Sequence, residues 1–427
     1  MHPFARRRLP SARHLIVGAC ALSLVAGCVA NADGTAEQPT IDETGSSAPS
    51  SSSSATPPPS STSATTPPSS SPTLADTVAL EVAAQPVASN TLAAALTIDA
   101  TMPVVVAVTA TADDHVVTTP FTAAADASHL LPLVGLRSNR EYVVEVVAFD
   151  TGGRPVADAT TTVATGDLPD FVVDYELAIA TSEMQPGLTL VEAVPSGSTG
   201  GHLLAVDSEG HVVWYHEPAS TLGAVSINDV GNFTAVSFPF GYVEFDVLGA
   251  TINDWVLGEP GSSGDGGTDV TTLDVPWSVG SNRSDAQVHT AHHDVIELPS
   301  GNLLGLARVT HDVSAELRAA SCPNDDRDWS VASDVVVEFQ PDGTVVRTWN
   351  VADAIDIETN PGTHLCSDGG LFATDLERDW SHANAVEYDA ERDLVLVSIR
   401  HTDSIVAFEH PDDIGHHTEV AWILGAD

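Results

Sequence analysis

Imidazole, guanidinium and carboxylate groups gather in two stretches of this chain. The first is His292-His293-Asp294-Val295-Ile296-Glu297-Leu298-Pro299-Ser300-Gly301-Asn302-Leu303-Leu304, with Arg308 soon after it. The second is Asp379-Trp380-Ser381-His382-Ala383-Asn384-Ala385-Val386, followed after a turn by Ser398-Ile399-Arg400-His401. A neutral imidazole is a good nucleophile and acid-base group. Arginine with a second histidine neutralises the charge that develops on an oxyanion. The chemistry suggested is group transfer to and from an anion. The candidate set is His292, His293, His382 and Arg400 for catalysis, with Asn384, His401 and Arg308 around them for substrate.

The elements that must position these groups are β-hairpins. Two β-branched runs flank Asp389-Ala390-Glu391-Arg392-Asp393, and pairing outward from Glu391 sets His382 opposite Arg400. Alternate residues of a strand share a face, so Asn384 is expected beside His382. Folding about Ser300 and Gly301 brings His293 level with Arg308, and one residue of slack in the turn superposes His292-x-Asp294 on His382-x-Asn384. A third copy, Ser226 to Ser237, keeps the hairpin and lacks the histidine. The hairpin is architecture and the histidines are additions to it.

A second kind of hairpin recurs from about residue 180: a strand, an acidic or glycine turn, and a strand ending in Trp214, Trp255, Trp349 or Trp422. An inner and an outer hairpin make a four-stranded blade, and such units set radially make a β-propeller. Four blades are read, at about 180–218, 219–258, 286–351 and 378–424, within a domain spanning 180–427. Inner strands meet across a propeller's channel, which would bring His292 or His293 to His382 and Arg400. Loops are expected over Gly258 to Ser284, Thr310 to Asp334 and Val351 to Arg378. Upstream, short alternating runs over 76–168 predict a β-sandwich. Leu133, Leu136, Asn139 and Tyr142 there look like the tyrosine-corner region of a fibronectin type III-like domain. The fold class is therefore all-β, a sandwich followed by a propeller.

The chain has 427 residues with 15 basic and 59 acidic side chains, a net charge of −44. That argues against nucleic acid and against charge-driven membrane binding. There is no lysine, which removes a P-loop and Schiff-base chemistry. Residues 1–28 read as a secretory signal whose end, Val25-Ala26-Gly27-Cys28, resembles a lipobox, with Cys28 as the lipidated residue of an exported, membrane-anchored lipoprotein. Residues 29–75 are a Ser-, Thr- and Pro-rich tether. Cys322 and Cys366 remain as an even pair in an oxidising compartment, where a disulfide is expected. The acidic runs Asn324-Asp325-Asp326 and Asp265 to Asp269 lack a full calcium pattern and read as solvated loops. No cofactor and no metal site are assigned.

The paired motifs at His292 to Leu304 and Asp379 to Val386, with Ser398 to His401, resemble the bacterial arylsulfate sulfotransferase family from about residue 180 onward. The resemblance implies an exported six-bladed propeller with a β-rich N-terminal domain. It also implies sulfuryl transfer from an aryl sulfate to a phenol through a sulfohistidine, without a nucleotide. His382 and Arg400 would then bind sulfuryl oxygens, assisted by one of His292 and His293. The internal superposition favours His292 and the motif's His-Asp dipeptide favours His293. The family's nucleophilic histidine follows a Trp-x-Leu-Gly element like Trp422-Ile423-Leu424-Gly425, so the chain is expected to be incomplete, four blades of six. Two other readings are a lipid-tethered module that binds aryl sulfates or phenols without turnover, and a metal-dependent hydrolase using His292, His293, Asp294 and His382.

Overall fold

A computed structural model describes residues 16–18, 78–172, 187–194, 201–218, 220–228, 230–258, 270–275, 281–282, 288–362, 364–366 and 376–425. Cys28, the tether and the 265–269 acidic run lie outside the described residues, as does most of the 258–284 loop. Of the leader only the backbone strand β1 (Ile16–Gly18) is described.

The N-terminal unit holds β2 (Leu80–Val87), β3 (Asn90–Ala112), β4 (His115–Thr118), β5 (Asp126–Leu133), β6 (Glu141–Phe149) and β7 (Pro155–Ala164). The long strand β3 serves two sheets: its first half pairs with β2 and β5, its second with β4 and β6, and β7 lies beyond β6. Period-two burial sends Leu96 and Ile98 of the first half, and Val106, Val108, Tyr142 and Val144 of the second, into one core. The unit is docked onto the sheet containing Leu204 and Tyr215 rather than hung from it. Arg137 forks onto Asp207 (2.6 Å) and Glu209 (2.9 Å), Asn90 donates to Tyr215 O (2.8 Å), and Leu92 shares a core with Leu204 and Tyr215.

Four sheets, antiparallel in their main strands, make up the rest. The first is β1 with β8 (Thr189–Val194), β9 (His202–Val206) and β10 (Val212–His216). The second is β11 (Thr221–Ile227), β12 (Phe233–Phe238), β13 (Gly241–Phe245) and β14 (Thr251–Leu257), with β15 (Val270–Leu273) added parallel to β14. The third has β16 (Val288–His289) and β17 (Val295–Glu297) on β18 (Leu303–His311), then β19 (Ser330–Phe339) and β20 (Val345–Asn350). Helices α1 (Ala315–Ser321) and α2 (Val351–Ala354) interrupt it, and β21 (Glu377–Asp379) lies parallel on β19. The fourth is β22 (Ala383–Asp389), β23 (Leu394–Ile399), β24 (Ser404–Glu409) and β26 (Val420–Leu424), while β25 (Gly415–His417) crosses back onto β20.

Three of the four outer turns repeat one solution. Gly210, Gly249 and Gly343 sit at φ 89°, 84° and 85°, a left-handed corner that a residue with Cβ resists. Adjacent sheets are joined by one apolar layer and one indole bond. Trp214 Nε1 donates to Val247 O (2.7 Å) in the second sheet, Trp255 Nε1 to Pro341 O (2.9 Å) in the third, and Trp349 Nε1 to Glu409 O (3.0 Å) in the fourth. The recurring tryptophans are thus staples between neighbouring sheets, and Trp422 of the fourth is 40% exposed.

The expected loops hold regular structure: β15 falls within 258–284, and α2 and the start of β21 within 351–378. The segment placed at Thr310 to Asp334 is shorter, because β18 runs on to His311 and pairs with β19 from Val331. What remains includes α1, capped by Ser314 Oγ on Leu317 N (2.9 Å). The expected disulfide is present, joining Cys322 and Cys366 with Cα atoms 5.5 Å apart.

Candidate functional site

The histidines meet where the third sheet packs on the fourth. Strand β17 is interrupted just before Val295: Asp294 N donates to His292 O (2.6 Å), closing a three-residue turn with His293 at φ 53°. In the fourth sheet His382 takes φ 51° immediately before β22, whose register on β23 slips between Ala383 and Ala385. The second sheet has the same kink at Ala224 (φ 50°), beside a slip between Gly223 and Ser226. A left-handed residue at this position is common to three sheets, so His293 rather than His292 corresponds to His382. Non-glycine residues reach this region at a steric penalty that the surroundings must offset.

The kinks re-aim the side chains. The rings of His293 and His382 are 4.8 Å apart, those of His382 and His401 4.7 Å, and His364 stacks on His401 at 4.3 Å. His292 is buried behind them with Nδ1 3.1 Å from His293 Nδ1. Its Nε2 lies 2.9 Å from Asp334 Oδ1, short in distance but poorly aligned for a directed hydrogen bond.

Two carboxylates frame the cluster. Asp334, in the middle of β19, accepts from Ser381 Oγ (2.6 Å) and Ala383 N (2.5 Å) through Oδ2. Asp379, at the end of β21, accepts from His382 Nδ1 (2.5 Å) through Oδ2, and its backbone carbonyl accepts from His401 Nδ1 (3.1 Å). Arg308 lies between them, Nη2 3.3 Å from Asp379 Oδ1 and Nε 3.9 Å from Asp334 Oδ1. Its Nε and Nη1 are buried without a hydrogen bond.

Burial alone would raise both carboxyl pKa values. For Asp334 the His292 ring 2.9 Å away, the Arg308 guanidinium and the Ser381 hydroxyl outweigh it and hold the group far below its usual range. Asp379 is lowered in the same way by His382 and Arg308. His293 is pushed down to about 4 by burial and by its neighbours His292 and His382, so it is neutral at pH 7. Asp294 shows the opposite balance: burial lifts it to about 6 against the bond it accepts from Val386 N (2.9 Å).

Three predicted geometries change. Arg308 is not level with His293; the turn at 290–294 makes His289 its register partner. Asn384 does not share a face with His382, because the kink and the slipped register break the alternation. Asn384 is exposed and lines an open groove of about 550 Å³ with Arg400, Ser398, Asp403 and Leu424. Arg400 does stand opposite His382 in the backbone, its N–H donating to His382 O (3.2 Å), while its side chain is exposed in that groove. The metal set His292, His293, Asp294 and His382 is not formed, since Asp294 is committed to Val386 N across the sheet junction. In the acidic run, Asp325 is paired with Arg327 and Arg378.

Asp334 and Asp379 were missed as site residues, and each left a mark. Asp334 is a charge inside the apolar run Val331 to Val337, which only a buried partner tolerates. Asp379 stands three residues before His382.

A histidine, carboxylate and arginine cluster thus lies between two stapled sheets of an all-β chain. The chain belongs to the arylsulfotransferase (ASST) family, whose model matches residues 174–427. That membership supports aryl sulfotransferase activity on small aryl sulfates and phenols in general terms. A comparison with curated proteins found no match. Among solved structures, a protein of unknown function from Bacteroides caccae is similar to 76% of this chain and 94% of its own, with 12% identity and a TM-score of 0.26.

Proposed function

We propose that this chain binds an aryl sulfate and takes part in moving its sulfuryl group to a phenol through a sulfohistidine, without a nucleotide donor. The observation that carries the reading is the coincidence of the family match with the cluster of His293, His382 and His401 framed by Asp334 and Asp379. In the first half-reaction the aryl O–S bond breaks, an N–S bond forms and the departing phenolate takes a proton. In the second a phenol oxygen attacks sulfur, the N–S bond breaks and the phenol proton is released.

His382 and Arg400 receive the charge on the sulfuryl oxygens, as the resemblance implies. Asp379 fixes the His382 ring from behind. His293, neutral and facing His382, fits the acid-base role better than His292, which is braced against Asp334. Arg308 stays between the two carboxylates and holds them in place, while Asn384 lines the groove into which Arg400 projects. The resemblance puts the nucleophilic histidine after the Trp422 to Gly425 element, so the residues assigned here bind and polarise rather than attack.

We read the four stapled sheets as successive blades of a β-propeller. The N-terminal unit is read as fibronectin type III-like, supported by Tyr142 Oη accepting from Arg137 N (2.9 Å) in the manner of a tyrosine corner. The disulfide supports an exported protein, and Cys28 is the proposed lipid anchor.

The test is release of 4-nitrophenol from 4-nitrophenyl sulfate by the full-length protein with and without a phenol acceptor. Release that needs the acceptor, with the sulfate recovered on it, is the expected result. Binding of the ester with no transfer to any phenol would replace the enzyme reading by the binding-module one.

A further inference from the structure

We infer that His382 and His401 form a binding site for a divalent transition-metal ion, with Asp379 fixing both rings from behind. Ligand-type atoms of the three residues lie within 4.8 Å of one another, and among the described residues no other set of three His, Cys, Asp or Glu side chains meets that spacing. Asp379 is one of those three, and the His382 and His401 rings stand side by side with centroids 4.7 Å apart.

Ring orientation is the second observation. The partner of His401 Nδ1 is the carbonyl of Asp379, which can only accept, so the proton is on Nδ1. The partner of His382 Nδ1 is a carboxylate oxygen of Asp379 whose other oxygen faces Arg308, with the same consequence. In their neutral forms both imidazoles therefore carry the free lone pair on Nε2. This is the arrangement of metal-binding histidines, whose other ring nitrogen donates to a carboxylate or a backbone carbonyl. Asp379 is itself held on its far oxygen by Arg308 Nη2 at 3.3 Å. His293, 4.8 Å from His382 between ring centroids, is the nearest further imidazole. Nitrogen ligands of this kind suit zinc, cobalt and copper rather than calcium or magnesium.

On the transfer reading His382 meets the sulfuryl oxygens as an N–H donor at Nε2, and the ion would take that nitrogen in place of the proton. On that reading it is therefore an inhibitor that competes with the aryl sulfate. The binding itself does not depend on that reading.

The experiment is titration of chelator-stripped full-length protein with Zn²⁺ by calorimetry and with Co²⁺ by visible absorption. One ion per chain and a ligand-field band that Zn²⁺ removes are expected from the unsubstituted protein, which needs no variant to read. His401→Ala should abolish the band. Asp379→Asn should weaken binding about 10–100-fold, as loss of an outer partner does. His410→Gln, at a histidine held by Glu338 and Asp393 elsewhere, should change nothing. No band from the unsubstituted protein, or a band indifferent to His401→Ala, overturns the site. Binding without any transfer activity would retain the site and reject the transfer reading; donor-competitive inhibition would support both.

Discussion

The junction between the first and second sheets and the junction between the third and fourth are built alike and equipped differently. In both, a tryptophan of one sheet donates to a carbonyl of the next, Trp214 to Val247 and Trp349 to Glu409. In both, a carboxylate of one sheet caps an amide freed by the kink in the next, from β8 in the first sheet and from β19 in the third. Glu192 accepts from Val225 N (3.0 Å) beside left-handed Ala224, and Asp334 accepts from Ala383 N beside left-handed His382. Burial raises the pKa of Glu192, which has that one bond to oppose it; Asp334 has His292, Arg308 and Ser381 as well and is strongly lowered. The first junction is a frame. The second is the same frame with histidines set at its kinks and cations paired to its carboxylates.

Asp334→Asn should break that difference most severely. It strips the compensating charge from buried Arg308, and breaking such a pair costs about 3–5 kcal/mol. Glu192→Gln, which keeps an acceptor for Val225 N, should cost under about 1 kcal/mol. Denaturant unfolding of the two variants reads the contrast, and similar losses would mean that the two junctions carry the same load. The sign of the pH response comes from the lowered pKa. The contribution of Asp334 is present above its unfolded value near 3.8 and is lost as pH falls through the folded one.

Next in size are the staples. Trp214→Phe and Trp349→Phe should each cost about 1–2 kcal/mol, because each orphans a carbonyl. Trp422→Phe should cost a few tenths, since this ring is 40% exposed. Equal losses at all three positions would contradict the stapling role.

The smallest effect concerns His410, which joins the third and fourth sheets through Glu338 Oε2 (3.1 Å) and Asp393 Oδ1 (2.8 Å). The hydrogen bond to Glu338 leads the causes that raise its pKa. Its stabilisation is therefore complete below about 6.5 and fades as pH rises through the raised value. His410→Gln should remove a stability slope worth about 1 kcal/mol or less above neutrality. A thermal-melting series across that range checks it.

The hairpins and the repeating tryptophans were legible in the sequence because strand alternation and glycine turns are local signals. The clustering of His292, His293, His382 and His401 was legible in kind, since it comes from like positions in successive hairpins. The local orientations were not. An alternating strand predicts Asn384 beside His382, and only the left-handed kink reverses it. L-residues enter that region when tertiary contacts hold them there, and here the contact is Asp334, whose partner Ser381 is 47 residues away. The same distance hid β21, a three-residue strand that delivers Asp379 to the site by pairing with β19 rather than through any pattern of its own.

The central claim, that the third and fourth sheets hold the sulfuryl-binding site, is tested most directly by steady-state transfer from 4-nitrophenyl sulfate to phenol in His382→Ala, Arg400→Ala and Glu192→Gln. A loss of about 10²–10³-fold is predicted in the first two, the scale of removing a transition-state donor, and near-normal rates in the third. Normal transfer by His382→Ala and Arg400→Ala would contradict it.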